Sequence, residues 1–189
     1  MKKIFFLTLL ICASLLVLPV IAQEESEEPA EEESVVTVKE IEPYFYAALE
    51  MTGSYQQHEQ AFQTLYEQAN SQGIPTNNPP FGVYYDDPET TPEEELTWDL
   101  GLALPEEKEV KEPLTLKKWD YTTVATLDYT GPWNEEMQGA FLKIFEWIAD
   151  NGYTPAGPVM QMYLDQPTQN EQGEWIGSVT IAVAVSKTE

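Results

Sequence analysis

Hydrophobic and polar positions along the chain fall into blocks that occur twice. Tyr44–Met51 and Tyr121–Tyr129 are short runs rich in aromatic and β-branched residues, the composition of a strand. Each leads through a glycine into a segment with apolar residues three and four apart. In the first segment these are Ala61, Phe62, Leu65, Tyr66 and Ala69; in the second they are Met137, Ala140, Phe141, Ile144 and Ile148. That spacing places each set on one face of a helix, and Gly73 and Gly152 mark the helix ends. Two further apolar runs follow each helix, "FGVYY" and "LTWDLGLAL" in the first block, "VMQMY" and "SVTIAVAV" in the second. The pattern predicts an α+β fold, with the order strand, helix, strand, strand running twice.

The two blocks share landmarks as well as order. "TGSY" at Thr52–Tyr55 matches "TGPW" at Thr130–Trp133, and Ala61 matches Ala140. Tyr84, Asp86 and Pro88 match Tyr163, Asp165 and Pro167 at a constant offset of 79 residues. A shared offset across helix, turn and strand predicts a tandem duplication, with repeat one at 39–111 and repeat two at 112–189. Antiparallel sheets would carry helices on one side, with a cleft between the pseudo-symmetric halves.

The first residues follow a different pattern. Lys2 and Lys3 precede an apolar run, Ile4–Ala22, so residues 1–22 read as a signal peptide cut after Ala22 or as an uncut anchor. Either reading predicts an exported protein that touches a membrane only through this segment. Residues 23–38 begin with the glutamate-rich "QEESEEPAEEES" and read as an acidic, self-repelling linker. Cys12 is the single cysteine and lies in the leader, so the folded part must stand on its core without disulfides.

Charge narrows the partners. The chain has 33 acidic and 9 basic residues; removing Lys2 and Lys3 leaves 7 basic residues and a net charge of −26. Nucleic acid and anionic membrane surfaces need clustered Lys and Arg and are not expected partners. With one histidine, His58, and no cysteine in the mature chain, neither a zinc site nor a histidine-based triad is supported. No cofactor is expected, and a monomer is.

Strand alternation selects the candidate site. In "TWDLGLAL", Trp98, Leu100, Leu102 and Leu104 face one way, and Asp99, Gly101 and Ala103 the other. In the last strand, Val179, Ile181, Val183 and Val185 oppose Ser178, Thr180, Ala182 and Ala184. A face of small residues leaves room for a cleft. Asp99 lies on that face within an apolar run, with no basic residue nearby in sequence. It either accepts hydrogen bonds from a loop amide or contacts a ligand. Glu50 and its counterpart Asp128 sit at strand ends. Tyr84 and Tyr163 stiffen the strand pairs or offer hydroxyls to the cleft, and Trp98 and Trp133 pack in the core or at the cleft rim.

Three stretches resemble the GyrI-like small-molecule-binding family: "FGVYYDDPETTPEEELTWDLGLALP", "ATLDYTGPWNEEMQGAFLKIFEWIADNGY" and "MQMYLDQP…EWIGSVTIAVAV". The family includes effector-binding domains of AraC-type and multidrug-responsive regulators, and the resemblance covers Glu40–Ser186. It implies a duplicated fold with a ligand cleft between its halves and amphipathic, often cationic, ligands. Ser178 stands where the family commonly carries a cleft glutamate, and the position 79 residues earlier is Asp99. The expected function is an exported small-molecule-binding protein. Its ligand would be held by Asp99, Trp98, Gly101, Tyr84, Tyr163, Ser178, Thr180, Trp133 and Glu50. The alternative is a hydrolase of a reactive electrophile, with Asp99 activating water.

Overall fold

A computed structural model describes residues 35–188. Among these residues the chain forms an antiparallel sheet and two α-helices, an α+β fold. The first strands are β1 (Thr37–Glu40) and β2 (Tyr44–Thr52), followed by α1 (His58–Ser71), β3 (Phe81–Tyr84) and β4 (Thr97–Ala103). Then come β5 (Leu114–Trp119), β6 (Thr123–Pro132), α2 (Glu135–Asp150), β7 (Tyr153–Tyr163), β8 (Thr168–Gln169) and β9 (Trp175–Lys187). The sheet order is β1-β6-β9-β7-β3-β4-β2-β5, with β8 added to β9.

The order requires the sheet to curl. Five strands lie between β1 and β2 in the sheet, so a flat sheet would separate them by roughly 29 Å at about 4.8 Å per strand. The chain covers that gap from Glu40 to Tyr44, four residue steps that reach at most about 14 Å. The two ends of the sheet therefore meet. They do so in one long ribbon: Thr37 lies opposite Thr126, Glu40 opposite Thr123, Tyr44 opposite Trp119 and Leu49 opposite Leu114. The register is continuous through the middle, where the Ile41 N–H donates to the Thr122 carbonyl at 2.8 Å.

Both helices pack on the outside of the curl. Leu65, Ala61 and Ala69 of α1 bury against Leu49, Trp98, Leu100 and Leu102. Ile144, Ile148 and Ala140 of α2 bury against Leu127, Val179, Ile181 and Val183. Each fully buried aliphatic side chain contributes about 1.5–3 kcal/mol, so these two clusters fix the helices to the sheet. Asn134 caps α2 by accepting from the Glu136 N–H at 2.8 Å. Gly73 and Gly152, at φ of 62° and 74°, provide the left-handed turn that ends each helix.

Much of the inner face is filled. Its small residues, Ala48, Gly101, Ala182 and Ala184, are covered by the rings of Tyr46, Phe81 and Trp119 in a third buried cluster with Val83, Val124 and Met160. A Cβ on Gly101 would lie 2.6 Å from Phe81 and 2.9 Å from Tyr46. The space those small residues leave is filled by aromatic rings folded in from neighbouring strands, as in other small closed sheets.

Two boundaries also shift. The acidic linker expected over 23–38 ends earlier, because Val36 is buried against α2's cluster and Thr37 begins β1. The leader, residues 1–22, and most of the expected linker lie outside the described residues. Strand β5, absent from the sequence reading, takes the edge beside β2.

Candidate functional site

Strand register divides the nine expected site residues between two faces. Asp99 pairs with Glu50, Gly101 with Ala48, Thr180 with Asp128 and Ser178 with Thr130, so these side chains share the inner face. Tyr84 pairs with Trp98 on the helix-covered face, where Tyr163 and Trp133 also pack. The two groups cannot line one pocket.

On the inner face, Asp99 is 2% exposed and is not without a partner, contrary to the sequence expectation. The Lys117 ammonium donates to both of its oxygens at 2.9 Å. The hydroxyl of Tyr85 donates to Oδ2 at 2.5 Å, and that of Tyr46 at 3.3 Å. The partner was hidden from local inspection because it arrives through a strand two places away. Lys117 on β5 lies opposite Tyr46 on β2, and the small Ala48 beside it lets the lysine stem cross to β4. Lys117 also reaches Oε1 of Glu50 at 2.8 Å, and Thr115 Oγ1 donates to Glu50 Oε2 at 3.0 Å. Glu50 is 55% exposed, so one ammonium bridges a buried carboxylate and a solvated one.

The electrostatics follow from these contacts. Burial would lower the Lys117 pKa, but the hydrogen bonds to Glu50 and Asp99 outweigh it and hold the group above its ordinary value. The contacts from Lys117, then Thr115, hold Glu50 below the usual glutamate range. Burial, with help from the Asp99 charge, pushes the Tyr46 and Tyr85 hydroxyls up, so both stay protonated donors.

Beside this cluster a cavity of about 240 Å³ opens at one mouth of the curl. Its walls are Tyr46, Val83, Tyr85, Trp119, Tyr121 and Pro158, with Lys117 and Lys118 at the rim. Lys117 Nζ lies 5.5 Å from the centre of the Tyr85 ring, a cation–π distance. The Trp119 indole N–H is buried without a hydrogen-bond partner among the described residues. Gly157 admits the Tyr121 ring, since a Cβ there would lie 2.4 Å from it.

On the helix side the other expected residues form a closed aromatic chain. His58 Nδ1 faces the Tyr55 carbonyl, which can only accept, so Nδ1 carries the proton. Nε2 then accepts from the Tyr84 hydroxyl at 2.8 Å, and Tyr84 accepts from Tyr163 at 2.8 Å. The His58 ring stacks on Trp98 at 4.4 Å, and its pKa is lowered by burial. The stacking leaves His58 only partly exposed. Burial raises the Tyr163 pKa to about 12, with the Tyr84 contact pulling the other way. The imidazole and the two hydroxyls are satisfied within this chain, while the Trp133 indole N–H beside Tyr163 is buried without a hydrogen-bond partner among the described residues.

The cluster includes Asp99 and Glu50 from the expected residues, while Lys117, Tyr85, Trp119 and Tyr121 were not among them. The available signal was the alternation of Lys117 and Trp119 on one side of "LTLKKWDY".

Residues 34–184 match the model of the GyrI-like small molecule binding domain. A DNA gyrase inhibitor of Erwinia billingiae (strain Eb661) is 31% identical over 122 residues, covering 59% of this chain and 72% of that protein. DNA gyrase inhibitor 2 of Dickeya dadantii (strain 3937) is 29% identical over 132 residues, covering 64% and 76%. The crystal structure of the EcmrR C-terminal domain superposes with a TM-score of 0.68 at 17% identity, covering 82% of this chain and 99% of that one.

Proposed function

The chain belongs to the GyrI-like small-molecule-binding family, and from that premise we propose that it binds a small amphipathic cation in the cavity beside Asp99. One observation carries the reading: an aromatic-walled cavity is lined by Lys117, Tyr46 and Tyr85, the three side chains that hold the buried Asp99 carboxylate, and one of them is an ammonium. A site that holds an ammonium between a carboxylate and an aromatic ring has the chemistry to hold another. At about 240 Å³ the cavity falls below the ~300–1,000 Å³ of drug-sized pockets, which suits one aromatic ring with its charged group.

The repeat landmarks and the Tyr84–Tyr163 contact between positions 79 apart support a tandem duplication. On that reading the cavity walls come from both repeats, Tyr46, Val83 and Tyr85 from one, Lys117, Trp119, Tyr121 and Pro158 from the other. Hydrolysis by Asp99 is not favoured, because Lys117, Tyr46 and Tyr85 already occupy both of its oxygens. The proposal includes export, which rests on the apolar run Ile4–Ala22 behind Lys2 and Lys3. Recovery of the full-length chain in the cytosolic fraction would overturn that part.

The test uses benzyltrimethylammonium and its neutral carbon isostere, neopentylbenzene, titrated by tryptophan fluorescence. Asp99→Asn leaves the Lys117 charge opposing the guest and should weaken the cation by about tenfold or more, the size of one charge-assisted contact. The neutral isostere should bind parent and variant alike. Equal cation affinity in parent and Asp99→Asn would end this reading.

A further inference from the structure

Lys117 stands where the guest's charge would go. Its ammonium touches both Asp99 oxygens, sits over the Tyr85 ring and lines the cavity rim. Yet it is not committed to Asp99 alone. Glu50 Oε1 lies 2.8 Å from the same nitrogen, half-exposed and fixed by Thr115. A small rotation of the lysine stem toward Glu50 would vacate Asp99 while keeping the ammonium paired. The side chain is already 24% exposed, so the motion is outward toward water.

We propose that Lys117 is a tethered competitor for the ligand site and sets its specificity, with Glu50 as the carboxylate that receives it when a guest binds. The inference rests on the cation-binding reading above. A tethered ammonium is present at high effective concentration, so a simple cation that offers only charge cannot displace it. A guest must add contact area against Trp119, Tyr121, Val83 and Pro158. The site thereby selects aryl ammonium compounds over inorganic cations and small alkylamines. An unplugged carboxylate in so acidic a protein would bind any cation.

The prediction runs against what a ligand-contacting or merely structural lysine would show. Lys117→Met should tighten benzyltrimethylammonium by about tenfold or more and let tetramethylammonium bind measurably. Glu50→Gln should weaken benzyltrimethylammonium several-fold, because the displaced lysine then has no carboxylate to receive it. Lys117→Arg, whose fork grips Asp99 through two hydrogen bonds, should weaken it as well. Neopentylbenzene should bind all four proteins within about twofold. Near-UV circular dichroism shows whether Lys117→Met keeps its fold; if it does not, the Glu50→Gln and Lys117→Arg titrations decide. Unchanged or weaker cation binding by folded Lys117→Met overturns the inference, as does parental affinity in Glu50→Gln or Lys117→Arg. If any of these occurs while Asp99→Asn still loses the cation, the competitor role is wrong and the site stands. If Asp99→Asn binds like the parent, the site itself is wrong.

Discussion

The two mouths of the curled sheet share a plan and differ in chemistry. At the first, Lys117 lies opposite Tyr46 and closes on Asp99 and Glu50, with Tyr85 above. At the second, Lys39 lies opposite Val124 in the same ribbon, Ser178 stands in the place of Asp99, and Leu164 in that of Tyr85. Asp128 there accepts from Thr180 at 2.5 Å, and Thr130 donates to Ser178 at 3.1 Å. Among the described residues Lys39 makes no ion pair. One mouth thus combines a buried carboxylate, a partly exposed ammonium bridging two acids and aromatic walls, while at the other the acid, Asp128, is exposed and takes only a hydroxyl donor. Equivalent backbone positions do not make equivalent sites; the difference lies in whether a charge is taken out of water, which requires a partner.

The largest test of that contrast is stability. Lys117→Met strips the ammonium from a carboxylate that is 2% exposed, leaving only two tyrosine hydroxyls. The expected cost is about 2–3 kcal/mol, somewhat below the ~3–5 for a wholly orphaned buried charge. Ser178→Ala at the other mouth should stay within about 0.5 kcal/mol. Urea melts measure both, and equal costs would erase the distinction.

A second test compares Gly101 with Thr180, its counterpart. Gly101→Ala pushes a methyl into Phe81 and Tyr46, both nearly fully buried, and should cost about 1–3 kcal/mol. Thr180→Ala removes one partly exposed hydrogen bond and should cost about 1 kcal/mol or less. A neutral Gly101→Ala would show that the inner face has slack the packing does not suggest.

The smallest expected effect is a pH dependence outside both mouths. His58 is held neutral by burial, with its pKa below the ordinary 6.5. Below pH 6.5 the unfolded chain takes up a proton that the folded chain refuses, so stability falls with pH down to the folded pKa and is fully restored above 6.5. His58→Phe should flatten that part of the profile. Denaturant melts between pH 5 and 8, spanning the free histidine's range, measure it. An unaltered slope in the variant would place the titration elsewhere.

Much of the frame and part of the candidate site were legible in the sequence. Helices α1 and α2 were legible because their apolar spacing is regular, and β4 and β9 because large and small residues alternate along them. Strands β1 and β5 were not, since Lys39, Lys117 and Lys118 break the apolar pattern and edge strands carry little of it. The curl was illegible for the same reason: it depends on those two strands joining the halves in one ribbon. Asp99 was visible as an acid in an apolar run, but its partner sits 18 residues on and across an intervening strand. Alternation placed Trp98 opposite Asp99 correctly, and the error lay in assigning both to one pocket.

On the proposed function, ligand binding resides at the Lys117–Asp99 mouth. Heteronuclear NMR of the parent protein titrated with benzyltrimethylammonium tests it most directly. Shifts should concentrate at Tyr46, Val83, Tyr85, Lys117, Trp119 and Tyr121, with Lys39, Asp128 and Ser178 unmoved. Shifts centred instead on Tyr84, Tyr163 and Trp133, under the helices, would contradict it.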